Sequence, residues 1–134
     1  MAASDADRVA MAGLVNAGAV IDWLVEGKQN AHLVCSGQLG RFSAEDAACA
    51  GHLVRGLLDR GFEPCNDAAR AALLCARQAS LDWPAFLAQT DHGRYLVDLG
   101  FGADLKVAAA EDSLPVVPEW NASRLEAHQQ PLGV

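Results

Sequence analysis

The sequence predicts an α/β domain with a small, mostly parallel sheet flanked by helices in three α/β/α layers. Three observations carry that expectation. Short apolar runs at residues 9–15 and 31–35 alternate with longer stretches whose apolar residues recur at helical spacing. Alanine is abundant while aromatic residues make up 6 % of the chain, which favours helices over a β-sandwich. A strand-like run, a glycine loop and a helix start also follow one another from Leu33 to Gly51, the order in which open α/β proteins build ligand sites.

Taken in order, residues 9–15 are small and apolar and read as a first strand. Asn16 is a plausible cap for a helix over 17–26, where Val20, Ile21, Leu24 and Val25 form one stripe and Gly27 stops it. The second strand is 31–35. A helix over 44–60 buries Ala47, Ala50, Val54, Leu57 and Leu58, and Gly61-Phe62-Glu63-Pro64 breaks it. Asn66 or Asp67 caps a helix running to 79, and a short helix over 81–89 carries Pro84 near its first turn. Residues 90–94 form a turn feeding a helix through 99, ended by Gly100 or Gly102. Residues 105–109 fit a short strand or a helix equally. Pro115 and Pro118 hold an extended segment, and the polar tail from Asn121 is expected to fray. The expected division is thus one domain over 1–120 and a tail over 121–134. So few strands leave the edges and one face of a parallel sheet uncovered, so a partner subunit or additional chain is expected to complete it.

At 134 residues the chain can bury a real core, and 51 % hydrophobic residues argue against disorder. A net charge of −7 opposes binding to nucleic acid or to an anionic membrane surface. It leaves room for a small anion held by local Arg and helix N–H groups. The four cysteines lack CxxC spacing and no His pairs complete a zinc pattern, so they read as reduced residues of a cytoplasmic protein. No apolar stretch approaches the roughly 18 residues a membrane span needs, and the acidic N-terminus does not resemble a signal peptide.

The run Leu33-Val34-Cys35-Ser36-Gly37 leads through Gly40 and Arg41 to Ser43, with Glu45 and Asp46 in the first turn of the following helix. Ser43 and Asp46 satisfy the capping-box spacing, a sufficient structural explanation by itself. The glycine loop and the extra acid Glu45 add a functional one: N–H groups at a helix start bind anions, and carboxylates beside them can attach magnesium. Arg41 suits bidentate phosphate binding or a surface ion pair with Glu45 or Asp46. His92-Gly93-Arg94 reads as a solvated turn or as an acid and a cation facing an oxyanion. Cys35 and Cys49 read as core residues, with no base at a telling spacing.

Several segments in order resemble the 2-phosphosulfolactate phosphatase family: Leu14-Val-Asn16-Ala-Gly-Ala-Val20, Leu33-Val-Cys35-Ser-Gly37, Gly40-Arg-Phe-Ser-Ala-Glu45-Asp46 with Cys49-Ala-Gly51, Asp67-Ala-Ala-Arg-Ala71, and His92-Gly-Arg94 with Gly100-Phe-Gly-Ala-Asp104. The resemblance runs to Val117-Pro118 and is most specific at the central segment. It implies a magnesium-dependent phosphatase that converts 2-phospho-3-sulfolactate to 3-sulfolactate and phosphate, a step toward coenzyme M. Carried over by motif, it implies Glu45 and Asp46 as Mg2+ ligands or as groups orienting water, with His92 as a further catalytic candidate. Gly40, Arg41 and Ser43 would hold the anion, Arg94 would face a sulfonate or phosphate, and Asn16 would line the strand end. Family members carry an additional N-terminal half with active-site segments that do not occur here. The implied fold is therefore incomplete, and a lone chain is expected to be weak or inactive, to act in a homo-oligomer or with an N-terminal half. The rival expectation is a non-catalytic module that binds anions or docks on a separate N-terminal half.

Overall fold

A computed structural model of the chain describes residues 6–121 and 124–129. The described residues form β1 (Val9–Ala10), a 3-10 turn (Leu14–Asn16), α1 (Ala17–Gly27), α2 (Ala44–Leu58), α3 (Asp67–Ala79), α4 (Trp83–Gln89), α5 (Asp91–Asp98), α6 (Gly102–Ala108), β2 (Val116–Asn121) and β3 (Arg124–Gln129). The α/β class holds, but the sheet does not match the parallel expectation. It has the order β1-β2-β3 and both pairings are antiparallel, with Val9 opposite Trp120 and Val117 opposite His128.

The physical reason lies in where strand partners occur. A parallel sheet needs two strands joined by a crossover. The run at 31–35 is extended but pairs with no strand among the described residues, and the 9–15 run yields a two-residue strand followed by a 3-10 turn. The sheet is built from the two ends of the chain. Within the stretch expected to fray, residues 124–129 pair along β2, while 122–123 and 130–134 lie outside the described residues. Residues 105–109 resolve largely into α6.

Pro118 disguises β2 in the sequence, because a central strand normally needs its N–H groups. Met11 N donates to Pro118 O at 2.9 Å. The reciprocal bond to Met11 O has no donor, since proline lacks an N–H. Asn16 supplies it: its Nδ2 lies 3.1 Å from Met11 O and 2.9 Å from Val116 O, and its Oδ1 accepts from Gly13 N at 2.8 Å. Asn16 immediately precedes α1, but its side chain makes no capping bond. Asp112 takes that role from far along the chain, accepting from Gly18 N at 2.6 Å.

Two cores hold these elements. Val20, Ile21 and Trp23 of α1 pack with Leu53 and Leu57 of α2 and with the fully buried Val117 of β2. Leu14, Ala48, Ala79 and Trp83 form the second. Between α2 and α3 the backbones approach so closely that a Cβ at Gly51 would overlap Ala72 O. Glu119 ties the sheet to α1. It accepts two bonds from the Arg8 guanidinium, at 2.8 and 3.1 Å, and one from Trp23 Nε1 at 3.1 Å, while Arg8 lies 4.2 Å above the Trp23 ring. Those Arg8 bonds lower the Glu119 carboxyl below its ordinary value.

Candidate functional site: the loop before the second helix

Ser43 opens α2 by accepting from Asp46 N at 3.1 Å, as its spacing predicts. The preceding loop is a tight hairpin. Gln38 N donates to Arg41 O at 3.1 Å and Arg41 N to Gln38 O at 2.9 Å. Leu39 and Gly40 between them both have positive φ, 51° and 74°. Two consecutive left-handed residues are the signature of a type I′ turn. Glycine adopts that conformation freely, whereas for leucine it costs about 1 kcal/mol.

The two acids part company. Asp46 Oδ2 accepts from Gly37 N at 2.7 Å and from Ser36 Oγ at 3.1 Å, so this carboxylate clamps the incoming chain onto the helix start. Glu45 is one residue earlier, rotated about 100° around the helix. It lines a small depression of about 200 Å3 with Gln38, Ser43, Gln89, Thr90 and Asp91. Among the described residues no three acidic, histidine or cysteine side chains come together as a metal site.

His92 reaches the loop. Gln38 Nε2 lies 3.1 Å from His92 Nδ1, and with the amide donating, the neutral imidazole carries its proton on Nε2. His92 also stacks on Tyr95, ring centres 6.4 Å apart. The His92-Gly93-Arg94 stretch is the first turn of α5 rather than a loop leading to it, because Thr90 is the cap and accepts from Gly93 N at 3.0 Å. Gly93 is needed for space, since a Cβ there would overlap Leu87 O in α4. Arg94 binds Asp91 within that turn at 2.8 Å. Arg41 is exposed and has no ion-pair partner among the described residues, so neither Glu45 nor Asp46 takes its charge.

The loop–helix junction therefore gathers Gly40, Arg41, Ser43, Glu45, Asp46 and, through Gln38, His92. Asn16 belongs elsewhere: all of its amide bonds go to the backbone at the sheet. Sequence reasoning missed Gln38, Gln89 and Asp91. Asp91 alone left a signal, as an acid in the first turn of a capped helix. The nearby thiols are poor nucleophiles. Burial pushes Cys49 up to about 11, and burial followed by the Asp46 charge raises Cys35.

The family model for 2-phosphosulpholactate phosphatase matches residues 1–123. A probable 2-phosphosulfolactate phosphatase of Synechocystis sp. is 34 % identical over 118 residues, 86 % of this chain and 49 % of the relative. One from Synechococcus sp. is 40 % identical over 113 residues, 82 % of this chain and 47 % of the relative. One from Carboxydothermus hydrogenoformans is 34 % identical over 113 residues, covering 84 % and 47 %. The chain spans about half the length of the curated relatives it matches. With 123 of its residues matched by one family model, the chain belongs to the 2-phosphosulfolactate phosphatase family.

Proposed function

We propose that this chain forms the part of a magnesium-dependent phosphatase that receives the phosphoryl group of 2-phospho-3-sulfolactate, releasing 3-sulfolactate and phosphate on the way to coenzyme M. The observation that carries the reading is the preformed turn leading from Gln38 through Arg41 into the α2 start, with Glu45 in its first turn, in a family whose relatives are named probable phosphatases. The α2 N-terminus, 15 residues of aligned peptide dipole behind it, favours negative charge at that point. The charge of the depression supports a cation requirement. Glu45 and Asp91 both line it, so an entering dianion meets two carboxylates unless a cation lies between.

The residues fit magnesium in a limited way. Mg2+ keeps several waters and needs only one or two protein carboxylates plus substrate oxygens. Glu45 is the carboxylate open to the depression. Asp46 has one oxygen committed to Gly37 and Ser36 and does not line the depression, so it would reach the ion only through its other oxygen or a bridging water. When bound, the ion neutralises charge developing on the phosphoryl oxygens. Arg41 positions the phosphate bidentately, and Ser43 keeps the helix start in place. His92 Nε2–H is the proton available to a leaving oxygen, held in that tautomer by Gln38. Arg94, partly neutralised by Asp91, attracts the sulfonate end. Four free cysteines suit a reducing cytoplasm, and no described helix is long and apolar enough to cross a membrane.

A second reading is a non-catalytic, anion-binding module that needs a separate half. It is favoured by the lack of three converging metal ligands among the described residues. One assay separates the two: phosphate released from 2-phospho-3-sulfolactate with Mg2+, by the chain alone and with the family's other half supplied. The phosphatase reading expects Mg2+-dependent release that falls at least about 100-fold in Glu45→Gln, the scale of losing one group that acts on the transition state. Binding of phosphate by calorimetry without release in either format supports the module and refutes the phosphatase.

A further inference from the structure

We propose that His52, Arg55, Ser80 and Glu111 form a proton-operated latch. With His52 neutral, Arg55 ties α2 to the corner between α3 and α4. A proton on His52 releases that tie and binds the ring to the segment after α6 instead. The inference rests on the geometry of this cluster and does not depend on the phosphatase reading.

His52 lies in the middle of α2 and is 8 % exposed. Arg55, nearly one helical turn on, reaches two groups at once. One guanidinium nitrogen lies 2.9 Å from His52 Nδ1, and another donates to Ser80 Oγ at 3.1 Å. A guanidinium only donates, so Nδ1 is the acceptor and the neutral ring carries its proton on Nε2. That nitrogen faces Glu111 Oε2 at 3.4 Å. Ser80 closes the C-terminal end of α3, so the Arg55 bond is a side-chain tie between α2 and the turn that leads into α4.

The groups around the ring come from four parts of the fold. The cation Arg55 stands on α2 itself, and the corner after α3 offers the neutral Ser80. From α4, Trp83 meets the imidazole edge-on at 5.8 Å, and its buried Nε1 has no hydrogen-bond partner among the described residues. The segment after α6 brings two carboxylates, Glu111 and Asp112, the second of which accepts from Gly18 N at the α1 start. Burial holds the ring below its ordinary pKa, Glu111 and Asp112 raise it, and Arg55 lowers it.

A proton taken from solvent enters at Nδ1, the acceptor nitrogen. Nδ1–H then points at the Arg55 donor, and two cations with no acceptor between them repel at that distance. Arg55 leaves, and Ser80 loses its bond with it. Nε2–H stays where it is and becomes the charged end of an ion pair with Glu111, a stronger bond than the neutral ring makes. One proton thus exchanges a contact with the α3–α4 corner for a contact with the segment that leads into β2. The corner opens α4, whose far end at Gln89 lines the depression beside Glu45.

The test follows the full chain from pH 8 to pH 5 by nitrogen NMR of the His52 ring and by amide exchange at residues 80–82, corrected for the intrinsic effect of pH. Those three amides donate to Ala76 O, Gln78 O and Ala79 O. The expected result is the Nε2–H tautomer at pH 8 and a protection of 80–82 that falls about tenfold as the ring is protonated, the scale of one lost hydrogen bond to a charged group. Arg55→Gln is expected to raise the midpoint of the ring and Glu111→Gln to lower it. Ser80→Ala removes the acceptor, so protection at 80–82 is expected to be low at both ends of the range. Midpoints that do not move apart in the Arg55 and Glu111 variants overturn the latch. So does protection at 80–82 that is unchanged across the midpoint, or that keeps the parent's pH dependence in Ser80→Ala. Loss of protection throughout the chain at the same midpoint overturns it as well, because that is unfolding and not a local release.

Discussion

The sheet end and the loop end of this molecule are built on opposite terms. At the sheet end the groups that proline and the α1 start leave open find partners far along the chain. Asn16 gives Met11 O the donor that Pro118 lacks, Asp112 accepts from the α1 start, and Glu119 accepts from Arg8 and Trp23. At the loop end, residues 31–36 make no backbone hydrogen bond among the described residues, Leu39 sits in a left-handed conformation at 95 % exposure, and Val34 and Phe42 face solvent. The first region meets these needs from within the described residues. The second has the sequence of a buried element and the environment of a surface. The contrast locates unmet binding capacity, because exposed apolar backbone that stays extended is poised for a partner.

Substitutions should respect that division, and the largest effects belong to the helix interior and the closed sheet end. Gly51→Ala drives a methyl into Ala72 O between α2 and α3 and is expected to destabilise by about 3 kcal/mol or more, read by denaturant unfolding. Asn16→Ala strands two carbonyls and one N–H and should cost about 2–3 kcal/mol by the same measurement. An equal cost at Val34→Thr, where the open region predicts a change within about 0.5 kcal/mol, would erase the distinction. Leu39→Asn should raise stability slightly, by about 0.5 kcal/mol, because asparagine tolerates the left-handed turn and removes an exposed apolar side chain.

Acid should act through the buried interior and the sheet end. Burial lowers the His52 pKa below 6.5, so the unfolded chain takes up a proton at a pH where the folded chain does not. Stability is therefore present above about pH 6.5 and declines as pH falls below it. In the folded state Arg55 donates to His52 Nδ1 at 2.9 Å, and the ring faces Glu111 at 3.4 Å through Nε2. The lowered Glu119 carboxyl adds a second loss at lower pH, below its ordinary value of 4.5, as it is protonated and releases Arg8. Melting temperature followed from pH 8 down to 5 should fall, and His52→Gln should flatten that slope. A variant with the parent's slope would show that His52 is not its source.

What the sequence made legible was local. Ser43 and Asn66 each accept from a backbone N–H three residues on, so their caps could be placed by spacing. The break at Gly61 is likewise within one element's reach, but the α2 stripe is not: of the expected Ala47, Ala50, Val54, Leu57 and Leu58 only Ala47 and Leu57 are buried, and Ala48, Gly51, His52 and Leu53 complete the buried face because α3, α1 and Trp83 pack there. What it concealed was reciprocal over distance. Asp112 caps a helix 94 residues away, and Asn16 reads as a cap because nothing near it reveals the proline it serves. Glu45 and Asp46 look like a pair in the sequence. The helix turns them toward different neighbours, and only the placement of Gly37 and Asp91 separates a clamp from an open carboxylate. The strand expected at 31–35 does not form among the described residues, because an apolar run becomes a strand only where a neighbour pairs with it.

The bond from Asn16 to Val116 joins positions 100 residues apart. Such a stitch cannot form until a loop of that length has closed, and closure entropy delays it relative to neighbouring contacts. The α2–α3 hairpin can nucleate early, with the amide of Asn16 fastening last. Nascent molecules would then pass through a stage in which helices are packed but the proline strand is still adrift, its backbone groups open to solvent.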